Sequence, residues 1–237
     1  MRIVTWNMGF NDYAYRPRHD EAWRFVVDEL QPDLALVQEA IVPEWAQRQF
    51  RVADGKAFVG GTWGSAVLSM NPVEKLLATW ERGSVVAATV DVSPVPLVAV
   101  SLQARVFEEG VIRRLTETFS SLESVLQPPF VVGGDFNTFR SAAERYGPAY
   151  GHGPFWENLD REFWDCHWNI LHVEEATFWG RSGRGNELQD DHILIDRATG
   201  ETGGVSACSV IADGRVRRLS DHGPMIAEVD FGVHAGT

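Results

Sequence analysis

The stretch Phe130-Val131-Val132-Gly133-Gly134-Asp135-Phe136-Asn137 leads from an apolar run through two glycines to an acid and an amide one residue apart. In an extended chain Asp135 and Asn137 share a face, so a carboxylate that can take a proton lies beside an amide that can donate and accept. A strand running into Gly-Gly-Asp is also an ordinary exit into a turn, and a strand-terminal Asp is commonly a turn former. The same placement recurs at Asn7, Glu39, Asp191 and the pair Asp221-His222, all where strand-like sequence starts or ends. A lone histidine is more often a core or surface residue than a catalyst. Polar groups repeated at so many strand ends argue instead for one site where those ends converge. Competing chemistries find no support: the chain has no Gly-x-Ser-x-Gly elbow, no Walker-type phosphate loop and no cysteine in an activating context.

The elements that must carry these residues can be read from periodicity. Residues 2–7 read as a strand ending at Asn7. Ala22, Trp23, Val26, Val27 and Leu30 recur at three and four, which predicts a helix over about 20–30, stopped by Pro32. Asp33 to Glu39 reads as a second, buried strand, so the chain opens as a strand, helix, strand unit with Asn7 and Glu39 at the strand ends. Further strands are expected over 64–69, 84–92 and 97–103. An amphipathic helix over 113–126 precedes the Asp135 strand, and two late strands cover 191–195 and 225–229. Residues 141–189 read as a long irregular segment whose tryptophans, Trp156, Trp164, Trp168 and Trp179, pin it to the core, the alternative being that they contact a substrate.

The length of 237 residues, with 44% hydrophobic residues and no linker-like or repeated stretch, predicts one domain spanning 1–237. The N-terminus enters strand-like sequence at once, without a leader-like run, and no stretch approaches ~18 apolar residues, so a soluble cytoplasmic protein is expected. Cys166 and Cys208 lack the spacing of a zinc site or redox motif and read as separate, modest thiols. The net charge of −12 argues against a broad basic surface for duplex DNA. Acidic residues gathered at one site can still recruit a divalent cation, which reverses the local sign and admits a phosphate.

Five local wordings occur in a telling order: Trp6-Asn7, Gln38-Glu39, Gly134-Asp135-Phe136-Asn137, Asp191-His192-Ile193-Leu194 and Ser220-Asp221-His222-Gly223-Pro224. Together they resemble the endonuclease/exonuclease/phosphatase family, the DNase I-like hydrolases, over nearly the whole chain. The resemblance implies an α/β (α+β) four-layer sandwich, two mixed sheets packed face to face with helices outside. It also implies metal-dependent attack of water on a phosphate ester. Carried over by position, Glu39 would be the principal Mg²⁺ (or Mn²⁺) ligand, with Asn7 beside it and Asp221 supporting the metal side. Asp135 would orient or deprotonate the water and Asn137 would hold a phosphate oxygen. His222, held by Asp191, would hydrogen-bond the phosphate. The implied partner is a phosphate-ester substrate: a nucleic acid, a nucleotide or a small phosphorylated compound.

The sequence departs from the family pattern at the end of the central strand, where a histidine is common. Val100-Ser101-Leu102-Gln103 puts Ser101 or Gln103 there, and neither is a cation or a strong acid. Arg181 and Arg184, in a Gly-rich stretch, are candidate substitutes because guanidinium suits phosphate. His152, His167 and His172 belong to the Trp-rich segment and are further candidates without a spacing argument. Gly9 stands where some relatives place an acid, which puts more of the metal binding on Glu39. The missing histidine motivates an alternative, a weakened member that binds a phosphate-bearing partner without turnover; retention of Glu39, Asp135, Asn137, Asp191 and His222 argues against it.

Overall fold

Strand β2 (Leu34–Ala40) opens as an uninterrupted apolar run because both of its faces are covered. Leu34 and Leu36 enter a core cluster with Ile3, Val131, Ile193 and Met225, while Ala35 and Val37 enter another with Trp6, Trp23 and Val26. Strand β8 (Phe130–Asp135) is divided in the same way: Val131 joins the first cluster, and Phe130 and Val132 join a third with Leu115 and Phe119. Three cores separate four layers, and the molecule, a computed structural model, is a DNase I-like sandwich of two six-stranded mixed sheets between helices. It describes residues 1–10, 15–55, 63–77, 84–92, 95–104, 110–147, 152–180 and 187–232.

The first sheet adds β1 (Arg2–Asn7), β3 (Arg51–Asp54), β4 (Gly64–Ser69), β11 (Val205–Val210) and β12 (Met225–Val229), in the order β11-β12-β1-β2-β4-β3. The second joins β5 (Val73–Leu77), β6 (Val85–Val90), β7 (Leu97–Gln103), β9 (Phe163–Asp165) and β10 (Asp191–Asp196) to β8, in the order β5-β6-β7-β8-β10-β9. Strands β1 and β2 are parallel, as are β7 and β8, whereas β12 and β10 run antiparallel to them. This topology brings the ends of β1, β2, β7 and β8 and the starts of β10 and β12 to the same side. Asn7, Glu39, Gln103, Asp135, Asp191 and the Asp221-His222 pair all lie there.

The expected opening helix is α1 (His19–Arg24) continued by a π-helical turn, Phe25–Leu30, and its whole predicted stripe is buried. It ends where Gln31 takes a left-handed conformation before Pro32. After a short α2 (Glu44–Gln47), the helix expected over 113–126 is α3 (Val111–Leu122). Segment 141–189 departs from the sequence reading. It contains α4 (Ala142–Tyr146), α5 (Gly153–Glu162), β9 and α6 (Cys166–Leu171); α5 buries Phe155, Trp156 and Leu159 at helical spacing, a stripe the sequence reading passed over. The tryptophans do pin it. Trp156 and Trp168 hold the Arg140 guanidinium between them, with centroids 4.6 and 4.9 Å away, and Asp160 grips its two outer nitrogens at 2.7 and 2.8 Å. Strands β3, β5 and β11 were also missed. They are edge strands, and β11 alternates poorly, with a bulge between Val205 and Ala207. Cys166 and Cys208 are free and buried, and both fall within the cluster between the sheets, closer in setting than their sequence contexts suggest.

His19 ties α1 to the segment after β2: its Nε2 accepts from the Ile41 amide at 3.0 Å and from Trp23 Nε1 at 3.1 Å. Burial lowers its pKa from 6.5 to about 4, against smaller opposing effects of Ile41 and Asp20. The folded state therefore binds fewer protons than the unfolded chain between those values. The stability it holds above pH 6.5 is lost as pH falls toward about 4, by roughly 3 kcal/mol at ~1.4 kcal/mol per pH unit. Thermal melts of the native chain and His19→Gln between pH 7 and pH 4 should converge on acidification. A constant gap across that range would show that His19 does not titrate in this way.

Candidate active site

The glycines of β8 do not make a turn, because the strand continues through them to Asp135. They permit close approach. A Cβ on Gly134 would lie 1.7 Å from the Leu102 carbonyl oxygen, and one on Gly133 would lie 2.7 Å from Leu36 Cδ1 of the facing sheet. The strand can therefore deliver Asp135 to the junction of the sheets. Asp135 is 2% exposed, and Asn7 Nδ2 donates to its Oδ2 at 2.9 Å. Its Oδ1 accepts from the Asn137 amide at 3.0 Å. Asn137 itself sits at φ +50°, and its Nδ2 donates to the Ala104 carbonyl at 2.7 Å, leaving its other amide hydrogen for a ligand.

Asp191 lies directly opposite Asp135 in the β8–β10 register. Its Oδ2 is 2.8 Å from His222 Nδ1, and His222 Nε2 is 4.0 Å from Asp135 Oδ2. Burial alone would lower the His222 pKa, but Asp191, Asp135 and Asp221 outweigh it and hold the imidazole well above 6.5. Burial pushes the Asp135 carboxyl well above 3.8, with Asp191 and Asp190 adding to the rise and His222 opposing it. The arrangement thus sets a carboxylate of raised basicity next to an imidazole inclined to be a cation. The Trp6-Asn7 pair has a clear role in this: Trp6 Nε1 donates to the His222 carbonyl at 2.8 Å while Asn7 reaches Asp135. Ser220 completes the tie by donating to the Asn7 carbonyl at 2.8 Å and accepting from the His222 amide at 3.1 Å.

Glu39 is aimed by an irregularity. The β2–β4 register shifts between Val37 and Ala40, a bulge at which Glu39 takes φ +46°. Gln103 Nε2 donates to Glu39 Oε1 at 2.5 Å, across the two sheets. Asp221 lies beside Gly9, where a Cβ would stand 3.1 Å from its Oδ1, so the glycine leaves room for that carboxylate. Glu39, Asp221 and the Asn7 amide oxygen, which also accepts from the Gly9 amide at 3.0 Å, offer oxygens of the type that suits a hard divalent cation. A second group, Asp135, Asp191 and His222, offers ligand atoms within 4.8 Å of one another. The close contact of His222 Nδ1 with Asp191 Oδ2 commits those two atoms to each other, so we read that group as a proton-sharing cluster.

Some predicted residues lie elsewhere. Ser101 shares a face with Gln103 but is fully buried between the sheets, where it donates to the Val37 carbonyl at 2.8 Å and accepts from Gln38 Nε2 at 3.0 Å. It clips the sheets together and does not face a substrate. Arg181 and Arg184 fall outside the described residues. His167 is buried with its Nε2 3.3 Å from Glu175, and His172 caps the end of α6, so neither joins the site. His152 comes closer, with Nδ1 2.5 Å from Thr138 Oγ1, next to Asn137. Sequence reasoning missed Asp190, buried to 5% exposure; burial raises its pKa to about 6, His222 opposing and Asp191 adding. It also missed Phe178, whose ring lies 4.9 Å from that of His222, and Thr177, whose hydroxyl accepts from the amides of Asp190 and Asp191 at 3.0 and 2.9 Å. The doubled Asp190-Asp191 was the available signal for the first; loop residues 177–178 carried none.

The sandwich and its carboxylate, amide and histidine set define a hydrolase of phosphate esters. The sequence profile of the endonuclease/exonuclease/phosphatase family matches residues 4–222, and the chain belongs to that family. Among solved structures, it resembles an AP endonuclease from Archaeoglobus fulgidus with a TM-score of 0.69 at 19% identity, covering 97% of this chain and 99% of that one. A 3'-5' exonuclease from Neisseria meningitidis gives 0.67 at 22% identity, covering 97% and 100%. TDP2 of D. rerio, complexed with a single-strand DNA product, gives 0.64 at 16% identity, covering 96% and 97%. A search of curated protein sequences finds no match.

Proposed function

We propose that the protein is a divalent-metal-dependent phosphoesterase, using Mg²⁺ or Mn²⁺, that hydrolyses a phosphodiester or phosphomonoester by direct attack of water. The observation that carries this is Asp135, fixed by Asn7 at 2.9 Å on one oxygen and by the Asn137 amide at 3.0 Å on the other, beside the His222–Asp191 pair. In this reading Asp135 takes the proton of the attacking water. Asn137 donates its remaining amide hydrogen to a phosphate oxygen, and His222 donates Nε2–H to the charge that builds there. Glu39, Asp221 and Asn7 would hold the cation, which would supply charge neutralisation when bound.

The net charge of −12 favours a nucleotide or other small phosphate ester over duplex DNA. The similar exonuclease of Neisseria and TDP2 nonetheless keep DNA in the test, since solved relatives carry a product DNA hairpin or single strand. The buried free thiols suit a reducing compartment, and we place the activity in the cytoplasm. The test is product release from bis-p-nitrophenyl phosphate, p-nitrophenyl phosphate, nucleotides, RNA and single-stranded and duplex DNA, with Mg²⁺, Mn²⁺ or EDTA. Turnover that requires metal and disappears in Glu39→Ala is the expected result, and the preferred substrate fixes the class. Metal binding without turnover on any substrate would shift the reading to a protein that binds a phosphate-bearing partner.

A further inference from the structure

The absent central-strand histidine leaves Gln103 at the end of β7 with no role in the reaction as described. We propose that Gln103 is a positioning residue for the cation-binding carboxylate of Glu39; the inference rests on the phosphoesterase reading above.

Glu39 stands on a bulge in one sheet, in a backbone conformation uncommon for a residue with a side chain, so the direction of its carboxylate is sensitive to what the side chain bonds to. Gln103 belongs to the other sheet and is itself rigidly placed. Its amide nitrogen donates to the Ser84 carbonyl at 2.7 Å, its register partner is Asp135, and it is 7% exposed. A carboxylate only accepts, so the 2.5 Å contact fixes the side-chain amide with Nε2 toward Glu39. That orientation commits Oε1 as well. It is buried and has no hydrogen-bond partner, an arrangement that is costly unless a donor arrives with the ligand. A water on a divalent cation bound by Glu39 would be such a donor. A phosphate oxygen accepts, so it cannot serve Oε1 and would meet only the second hydrogen of Nε2.

Outer partners of this kind orient the ligating group, and their loss commonly lowers metal affinity by about 10- to 100-fold. The experiment titrates Mn²⁺ into the whole protein by calorimetry without substrate, comparing native, Gln103→Met, Gln103→Asn and Glu39→Gln, with a melting curve for each. Methionine keeps the length and removes both polar atoms, and asparagine withdraws the amide by one methylene. If the methionine variant does not fold, the asparagine variant carries the same reading. The expected result is Mn²⁺ binding about 10- to 100-fold weaker in the Gln103 variants. Diester hydrolysis should then be lost at low Mn²⁺ and largely restored at saturating Mn²⁺, a recovery that a general packing defect would not give. Native Mn²⁺ affinity in the Gln103 variants, with weakened binding in Glu39→Gln, would overturn this inference and leave the phosphoesterase reading intact. Native affinity in Glu39→Gln would remove the assignment of Glu39 itself, and with it both readings of the metal side.

Discussion

Asp135→Asn should lower kcat on an activated diester by about 10²- to 10⁴-fold, the range expected for loss of a positioned general base, without lowering the melting temperature. Each half of that expectation has a structural reason. The carboxylate is buried, and burial pushes its proton affinity well above the ordinary range, so it is a better base than a surface aspartate. Asparagine has nearly the same shape but cannot take a proton from water at neutral pH. One of the two surrounding bonds survives the exchange: the amide oxygen accepts either from Asn7 Nδ2, now at 2.9 Å, or from the Asn137 amide, now at 3.0 Å, and the new NH2 faces the other donor. A charge held in a buried site beside Asp190 and Asp191 is removed, which offsets the lost bond and should leave stability about unchanged. Initial rates at saturating Mn²⁺, together with thermal melts of both proteins, make the check. Unchanged turnover in a folded variant would show that another group activates the water.

Which parts of this site the sequence could reveal follows from what each residue needs. Asn7, Glu39, Asp135 and Asp191 end or begin strands that are apolar on both faces, so a buried run followed by a polar residue marks them in one dimension. Their convergence depends on the parallel pairing of β1 with β2 and of β7 with β8, which periodicity does not encode; the order of the local wordings supplied it. Ser101 and Gln103 show the limit. Alternation put both on one face correctly, yet two residues along a strand is ~7 Å, enough to separate a clip inside the sandwich from a residue at its edge. The helices of 142–171 were hidden for another reason. α6 rests on the Asp165 cap and on Arg140 clamped between Trp156 and Trp168, contacts between segments, whereas the stripe of α5, Phe155, Trp156 and Leu159, was masked by the density of aromatic residues around it. Asp190 was passed over because its neighbour satisfied the pattern.

Asp191→Asn should reduce kcat/KM by on the order of 10²- to 10³-fold, and its effect on pH dependence should distinguish it from Asp135→Asn. Asp191 touches no substrate in the proposed mechanism. Its Oδ2 lies 2.8 Å from His222 Nδ1, and its negative charge is the chief influence that raises the imidazole against burial. Asparagine can still accept from Nδ1–H and so can keep the ring in place, but it cannot stabilise the positive charge. The His222 pKa should therefore fall toward the value that burial favours. The sign follows: His222 donates as the imidazolium, so activity is lost as pH rises through its pKa. In the native protein that loss sits well above 6.5, and in Asp191→Asn the descending limb of kcat/KM should move to lower pH. Acidification should then recover part of the lost rate in Asp191→Asn, until protonation of Asp135 stops the base. Asp135→Asn has no base to protect and should show no such recovery. Profiles of kcat/KM from pH 5 to 9 for the two variants and the native chain test this directly. A descending limb that stays in place in Asp191→Asn would mean that His222 does not act as the charged donor, and the task of neutralising the phosphate would pass to the cation alone.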